Sequence, residues 1–306
     1  MRNEFIRLFS SKVEASKSQQ PIYFLTGDLG YSVLEPLRDI LGNHFINVGV
    51  AEANMISIAA GLAMQGAKVF CYSIAPFATF RCLEQIRNDV CYHKLDVTVI
   101  GIGVGYGYGA LGPTHHTTED LSAMWGLPHM EVYSPADLSE LRFCFEASLK
   151  NMGPKYFRLG KGGEGDFCPS DKIANAYELK QGQKMTVVST GLILSEILKA
   201  HDENHFKDIQ VISVPHLKPF PEQELLALIS SRRILVVEEL SPYGGFSGQV
   251  SKALMLSILR EKIQKYDVLS ARDAFASSPG SLHYQRKQTG LSSEHIASRF
   301  AALLED

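Results

Sequence analysis

The stretch GYGYGALGPTHHTTEDL, residues 105–121, sets a glycine-rich run and two adjacent histidines directly after DVTVIGIGV, a β-branched segment that reads as a buried strand. Two chemistries compete for it. Gly107 to Gly112 spells GYGALG, the G-x-G-x-x-G pattern of dinucleotide binding, in which the glycines close a strand-to-helix turn and the helix N-terminus faces a pyrophosphate. That reading needs the helix to follow at once. Instead Pro113, Thr114, His115 and His116 intervene, and the pattern predicts a helix only from Thr117, with Thr117 and Asp120 as its cap. Glu131 also follows the glycines too closely for the ribose-binding acid of such a fold. The alternative is a long, flexible Gly/Tyr-rich loop that presents His115 at the carboxyl end of a strand, where open α/β sheets bind their ligands. The two histidines do not read as a metal pair, because neighbouring loop side chains rarely converge on one ion and no thiol or carboxylate spacing accompanies them. No metal site is expected in the chain.

A second candidate is Glu52, near the start of AEANMISIAAGLAMQ (51–65), a helix otherwise built from small and apolar residues. A carboxylate there is favoured by the helix dipole, and once covered it is pushed toward its protonated form, which suits acid–base work. Phe77, after the next strand-like run, reads on its own more readily as core than as a platform for a flat ligand.

The elements that must position these residues are legible as alternation. IYFLTGD, HFINVG, KVFCYSI, DVTVIGIG, HMEVYS and KYFRLG are short β-rich runs separated by helical stretches, the signature of an α/β fold with a mostly parallel sheet flanked by helices. From Lys161 the composition turns to Gly, Pro, Asp, Lys and Ser, which predicts a linker at 166–182 between a first domain, 1–165, and a second, 183–306. In the second, MTVVSTG, IQVISV and RRILVVEEL read as buried strands, with helices from Leu194, Pro221 and Gly248 onward. LSSEHIASRFAALL closes the chain as a helix capped by Ser292 or Ser293, with Ile296, Phe300 and Leu303 on one face.

Composition narrows the partners. The chain has 306 residues, 45% hydrophobic and 21% charged, and a formal charge of −3 without long runs of one sign, which gives no footing for nucleic acid or an anionic membrane. Its five cysteines follow no zinc or redox spacing and read as buried free thiols of a reducing compartment. The first twenty residues lack the apolar core of a signal peptide, and no run approaches the roughly 20 residues of a membrane span. A cytoplasmic location is therefore expected.

Taken together, TGDL (26–29), NVGVAEANM (47–55), APFATFRCLEQIRN (75–88), GPTHHTTEDL (112–121) and EVYSPAD (131–137) resemble, in order, the pyrimidine-binding domain of transketolases and their thiamine diphosphate-dependent relatives. STG (189–191) and VVEELSPYGGFSGQV (236–250) resemble the transketolase C-terminal domain. The resemblance implies that Glu52 shares a proton with N1' of the cofactor's aminopyrimidine, that Phe77 stacks on that ring with Ile74 completing the wall, and that Asp28 lies near the cofactor. It implies that His115 contacts the reacting oxygens of the donor as hydrogen-bond donor or proton relay. Ser32, Arg158 and Arg2 fall where the family binds the sugar phosphate, chemistry that suits arginine. The roles of Arg81 and His116 stay open.

Departures from the family pattern carry information too. The GDG motif of the diphosphate- and Mg²⁺-binding domain is absent from the chain. By resemblance this is the C-terminal subunit of a split transketolase, active with a partner chain that holds the diphosphate and Mg²⁺, as the homodimeric core of a heterotetramer. Where many relatives carry Glu-Asp before Gly-Pro-Thr-His, this chain has Ala110 and Leu111, and Gly103 stands where a further histidine is common. Leucine accepts no hydrogen bond, so the two-carbon ketol unit is expected to pass to a non-standard aldose-type acceptor. Two readings stay open beside this one. The chain is a 1-deoxyxylulose-phosphate synthase-like or 2-oxo acid dehydrogenase β-like subunit, which the loss of the aspartate favours and GPTHH–TTED disfavours; or it is a degenerate partner subunit, against which Glu52, Phe77 and His115 speak.

Overall fold

A computed structural model describes residues 1–15, 20–203 and 206–305 of the chain. The apolar runs of the first half form β1 (Ile22–Thr26), β2 (Phe45–Asn47), β3 (Lys68–Ile74), β4 (Val97–Ile102), β5 (Glu131–Tyr133) and β6 (Lys155–Leu159). Those of the second half form β7 (Tyr177–Lys180), β8 (Met185–Ser189), β9 (Ile209–Ser213), β10 (His216–Lys218), β11 (Arg233–Val237) and β12 (Lys265–Leu269). One sheet has the order β10-β5-β6-β4-β3-β1-β2 and the other β12-β11-β8-β9-β7. All pairings are parallel except β10 with β5 and β7 with β9.

Parallel strands covered on both faces favour near-continuous apolar runs, and β4, β6, β8 and β9 are buried at every position, with the charges of Lys155 and Arg158 on β6 paired inside. One face of the first sheet is covered by the helices Arg2–Ala15 and Leu138–Ser148, which meet through Phe5 and Phe145 at 5.4 Å, edge to face. The helix Glu52–Met64 covers the other through Met55, Ile56 and Ala59 against Leu25, Val69 and Val99.

Two elements cross the boundary expected from sequence. β7 lies inside the expected 166–182 linker, yet it is the edge strand of the second sheet. β10, from the second half, pairs with β5 and extends the first sheet, where His216 stacks on Tyr133 at 4.4 Å. A buried carboxylate adds a further stitch. Glu140, on the first unit's Leu138–Ser148 helix, accepts from Ala136 N, from Tyr177 OH of β7 and from Ser213 Oγ of β9. All five cysteines are buried free thiols. The closing helix runs Ser293–Glu305 with Ile296, Phe300 and Leu303 buried, and Ser292 O accepts from Ile296 N at its start. Among the described residues no helix is long and apolar enough to cross a membrane.

Candidate active site

The chain passes from β1 to β2 on one side and returns to β3 on the other side of β1. The crevice of the first sheet therefore opens at the carboxyl ends of β1 and β3, where the connections diverge. Three connections meet there: residues 27–34 after β1, the helix Glu52–Met64 after β2, and residues 75–82 after β3.

Glu52 is the first residue of its helix and only 1% exposed. Its Oε1 accepts from Ser73 Oγ at 3.1 Å and its Oε2 from Arg81 Nη1 at 2.6 Å. Arg81, left without a role by the sequence, is thus the glutamate's ionic partner. The same guanidinium lies over the Phe77 ring, 4.5 Å from its centroid, and His115 meets that ring edge-on at 5.2 Å. His115 Nδ1 is 3.0 Å from Thr114 Oγ1. Glu52, Arg81, Phe77 and His115 form one contiguous cluster, with Ile74 half-buried at the end of β3 directly before the short helix Ala75–Thr79 that carries Phe77.

Asp28 and Ser32 sit beside this cluster in the loop after β1, both in left-handed backbone conformations with φ of 54° and 63°. Asn47, which the sequence reading passed over, clamps Asp28: its Oδ1 accepts from Asp28 N at 2.9 Å and its Nδ2 donates to Asp28 Oδ1 at 3.0 Å. Tyr31 OH donates to the same carboxylate oxygen at 3.2 Å. Ser32 N donates to Glu35 Oε1 at 2.8 Å. Asp28, Tyr31, Glu35, Arg38 and Asn47 border a cleft of about 410 Å³.

Arg158, expected at the sugar phosphate, is paired inside the protein. It is 3% exposed and its Nε contacts both Asp120 oxygens, at 3.1 and 2.9 Å, while Nη2 donates to Thr117 O at 3.1 Å. Tyr156 OH donates to the same Asp120 at 2.6 Å. A guanidinium so enclosed and neutralised braces the interior around Asp120. The brace also corrects the expected helix cap. The helix runs Asp120–Trp125 without a side-chain cap, and Asp120 is committed to Arg158 while Thr117 Oγ1 lies buried without a partner.

The Gly/Tyr loop is likewise held rather than free. Gly105 and Thr117 exchange backbone hydrogen bonds at 2.8 Å, Gly103 N donates to Leu159 O at 2.8 Å, and Tyr106 N donates to Glu239 Oε1 at 2.9 Å. Glu239 is fixed in turn by the buried Arg286. His116 is buried in the loop's underside, with Nε2 3.3 Å from Gly109 O, and burial lowers its pKa. Gly103 has φ of 74°, and a Cβ there would lie 2.0 Å from the Tyr108 ring. Tyr108 therefore fills the place that a larger residue 103 would take. Its ring faces His115 at 6.4 Å and carries Lys161 Nζ at 4.9 Å. Burial raises the Tyr72 and Tyr108 hydroxyl pKa values, and the charge of the half-buried Arg2 opposes that rise at both.

The donor set suits an aminopyrimidine: a buried carboxylate and a half-buried aromatic ring, bridged by one guanidinium. Gly27 keeps that approach clear, since a Cβ there would lie 3.3 Å from Gly49 O and 3.4 Å from Glu52 Oε1. Among the described residues no group of His, Cys, Asp or Glu side chains is placed to hold a metal ion.

Fold and cluster together define a pyrimidine-binding unit of the thiamine diphosphate enzymes, joined to a second α/β unit. Residues 12–163 match the transketolase pyrimidine-binding domain and residues 174–296 the transketolase C-terminal domain. A 6-deoxy-6-sulfo-D-fructose transketolase subunit of a Clostridium species is 31% identical, over 83% of this chain and 80% of its own. A putative transketolase C-terminal section of Methanocaldococcus jannaschii is 30% identical, over 94% and 92%. A solved split-gene transketolase, an inactive β4 tetramer, superposes with a TM-score of 0.86 at 26% identity, covering 99% of this chain and 98% of its own. The chain belongs to the transketolase family, and matches the C-terminal subunits of its split forms.

Proposed function

We infer that the chain is the C-terminal subunit of a split transketolase that moves a two-carbon ketol unit from a ketose donor to an aldose-type acceptor, with thiamine diphosphate as cofactor. The observation that carries this reading is the buried Glu52 carboxylate linked through Arg81 to the Phe77 ring, with His115 at that ring's edge. When bound, the cofactor supplies the electron sink for breaking and forming the carbon–carbon bond. Glu52 holds the proton exchanged with the pyrimidine, Phe77 and Ile74 form the wall on which the ring lies, and Asp28, clamped by Asn47, borders it. His115 orients the substrate oxygens and relays their proton. The diphosphate and Mg²⁺ are assigned to a partner chain, two copies of each making a heterotetramer. The solved relative that is inactive as a β4 tetramer supports the need for a partner.

Leu111, 55% exposed at the loop surface, offers a substrate no hydrogen bond, and Tyr108 closes the wall at Gly103. These features support an acceptor other than the usual pentose and tetrose phosphates. Relatives named for a sulfo-fructose and for apulose 4-phosphate support it too. The same leucine favours a second reading, a synthase-like subunit. A 1-deoxy-D-xylulose-5-phosphate synthase of Dictyoglomus thermophilum is 31% identical over 86% of this chain, which spans 43% of it.

The test is calorimetric titration of thiamine diphosphate with Mg²⁺ into the chain alone and after mixing with a candidate diphosphate-domain chain, followed by product analysis from ketose donors and from pyruvate. Binding only in the mixture, with ketose turnover lost on Glu52→Gln, is the expected result. Turnover by the chain alone, or turnover of pyruvate only, refutes the assignment.

A further inference from the structure

The geometry points to Arg81 as a built-in stand-in for the aminopyrimidine, a side chain that must swing out before the ring can seat. This deepens the function inferred above and rests on it, because it takes Glu52 and Phe77 as the ring's two principal contacts. Arg81 makes both at once: Nη1 donates to Glu52 Oε2 at 2.6 Å, and the guanidinium carbon stands 4.5 Å over the Phe77 centroid. A guanidinium is planar and delocalised, stacks on aromatic faces and presents N–H edges to a carboxylate. A 4-aminopyrimidine offers the same combination of flat face and hydrogen-bonding edge. The ring face and the carboxylate oxygen admit one flat group, so the two compete.

The local chain makes this folding-back natural. Arg81 follows Phe77 by about one helical turn, and helical side chains lean toward the preceding turn. Ser73 already donates to Oε1, and Oε2 is the oxygen that Arg81 takes. The exchange also has a path, since the Arg81 side chain is 44% exposed while the carboxylate is 1% exposed. The pairing gives a reason for the arginine: a buried carboxylate with no cation beside it is strongly destabilising, and Arg81 keeps Glu52 compensated until the ring arrives.

The experiment uses the full chain and 4-amino-5-hydroxymethyl-2-methylpyrimidine, a probe without diphosphate, titrated by NMR into the natural sequence, Arg81→Met, Arg81→Lys and Phe77→Ala. If the guanidinium covers the cradle about nine-tenths of the time, its removal tightens binding roughly tenfold. Arg81→Met is therefore expected to bind the probe about tenfold more tightly. Arg81→Lys keeps a cation for Glu52 but loses the flat face; it should fall between and guards against a misfolded Met variant. Phe77→Ala should abolish binding, and the Arg81 side-chain N–H signals of the natural chain should move as the probe enters. Equal or weaker binding by both Arg81 variants, with binding still lost in Phe77→Ala, overturns the stand-in while leaving the cofactor assignment in place. No binding by any variant overturns both.

Discussion

Replacing Arg158 by Met separates an internal brace from a substrate ligand. Arg158 and Asp120 are 3% and 0% exposed, and the guanidinium contacts both carboxylate oxygens while also donating to Thr117 O and approaching Glu239 O at 3.5 Å. Met has a stem of similar length, so little cavity opens; the main cost is electrostatic. Asp120 keeps only the Tyr156 hydroxyl, at 2.6 Å, and a buried charge stripped of its partner costs about 3–5 kcal/mol. Against a total stability of roughly 5–15 kcal/mol, that is a large fraction. Urea unfolding of the chain, extrapolated to water, measures it. The double variant Asp120→Asn/Arg158→Met should be less destabilised than the sum of the two single changes, because the orphaned charge is gone. If Arg158→Met unfolds within about 0.5 kcal/mol of the natural chain and the reconstituted enzyme merely shows a raised KM for sugar phosphates, the reasoning fails and the phosphate role returns.

Three further outcomes follow from the same contacts. Gly103→Ala meets both a positive φ and the Tyr108 ring; it should lower stability by about 1–3 kcal/mol and shift kcat/KM ratios between ketoses, and an unchanged melting temperature would count against it. Burial raises Glu140 and Glu238 from 4.5 to about 7. Between those values the folded chain keeps protons that the unfolded chain has lost, so each carboxyl's contribution is full below about pH 4.5 and lost as pH rises through 7, by roughly 3 kcal/mol apiece. Carbon-13 titration of the carboxyls checks this; titration of both below about pH 5.5 would contradict it. Glu239→Gln weakens the Arg286 pair and the Tyr106 anchor, so amide exchange at 105–112 should accelerate by tenfold or more. Acceleration confined to the helix Leu282–Thr289 would show that Glu239 does not hold the loop.

The parallel strands were legible because a strand buried on both faces is a mostly apolar run, as in β4 and β8. β7 was not, because an edge strand tolerates Glu178 and Lys180, and those residues sit among Gly, Asp and Lys that spell a linker. In the candidate site the positions of Glu52, Phe77 and His115 were readable from motif order, whereas their mutual contacts depend on three separate connections. Nothing local marks Arg81 as the partner of Glu52, or Asn47 as the clamp on Asp28. Arg158 shows the same limit from the other side: the resemblance marks it for the sugar phosphate, and nothing local announces its pairing with Asp120. The glycines of the 105–112 loop suggested freedom, but several serve close approach. A Cβ on Gly105 would lie 2.6 Å from Glu239 Oε1, and one on Gly109 would lie 2.6 Å from Gly280 O.

Those contacts give the second unit a part in holding the loop that its own residues do not advertise. Glu239 stands just beyond the carboxyl end of β11, takes the Tyr106 amide with one oxygen and Arg286 with the other, and all three are nearly fully buried. Arg286 extends the chain of contacts to Glu196, whose other oxygen accepts from Ser293 N at the start of the closing helix. The position of the loop that carries His115 is thus tied, through fixed hydrogen bonds, to the interior of the second sheet and to the last helix of the molecule. In the function inferred above, the His115 imidazole must be held to a fraction of an ångström, and a glycine-rich loop cannot do that by its own stiffness. Glu239 and Arg286 provide the stiffness from outside the loop. On this view the second unit acts as the support for the loop, which explains why it needs no side chain of its own in the cluster around Glu52.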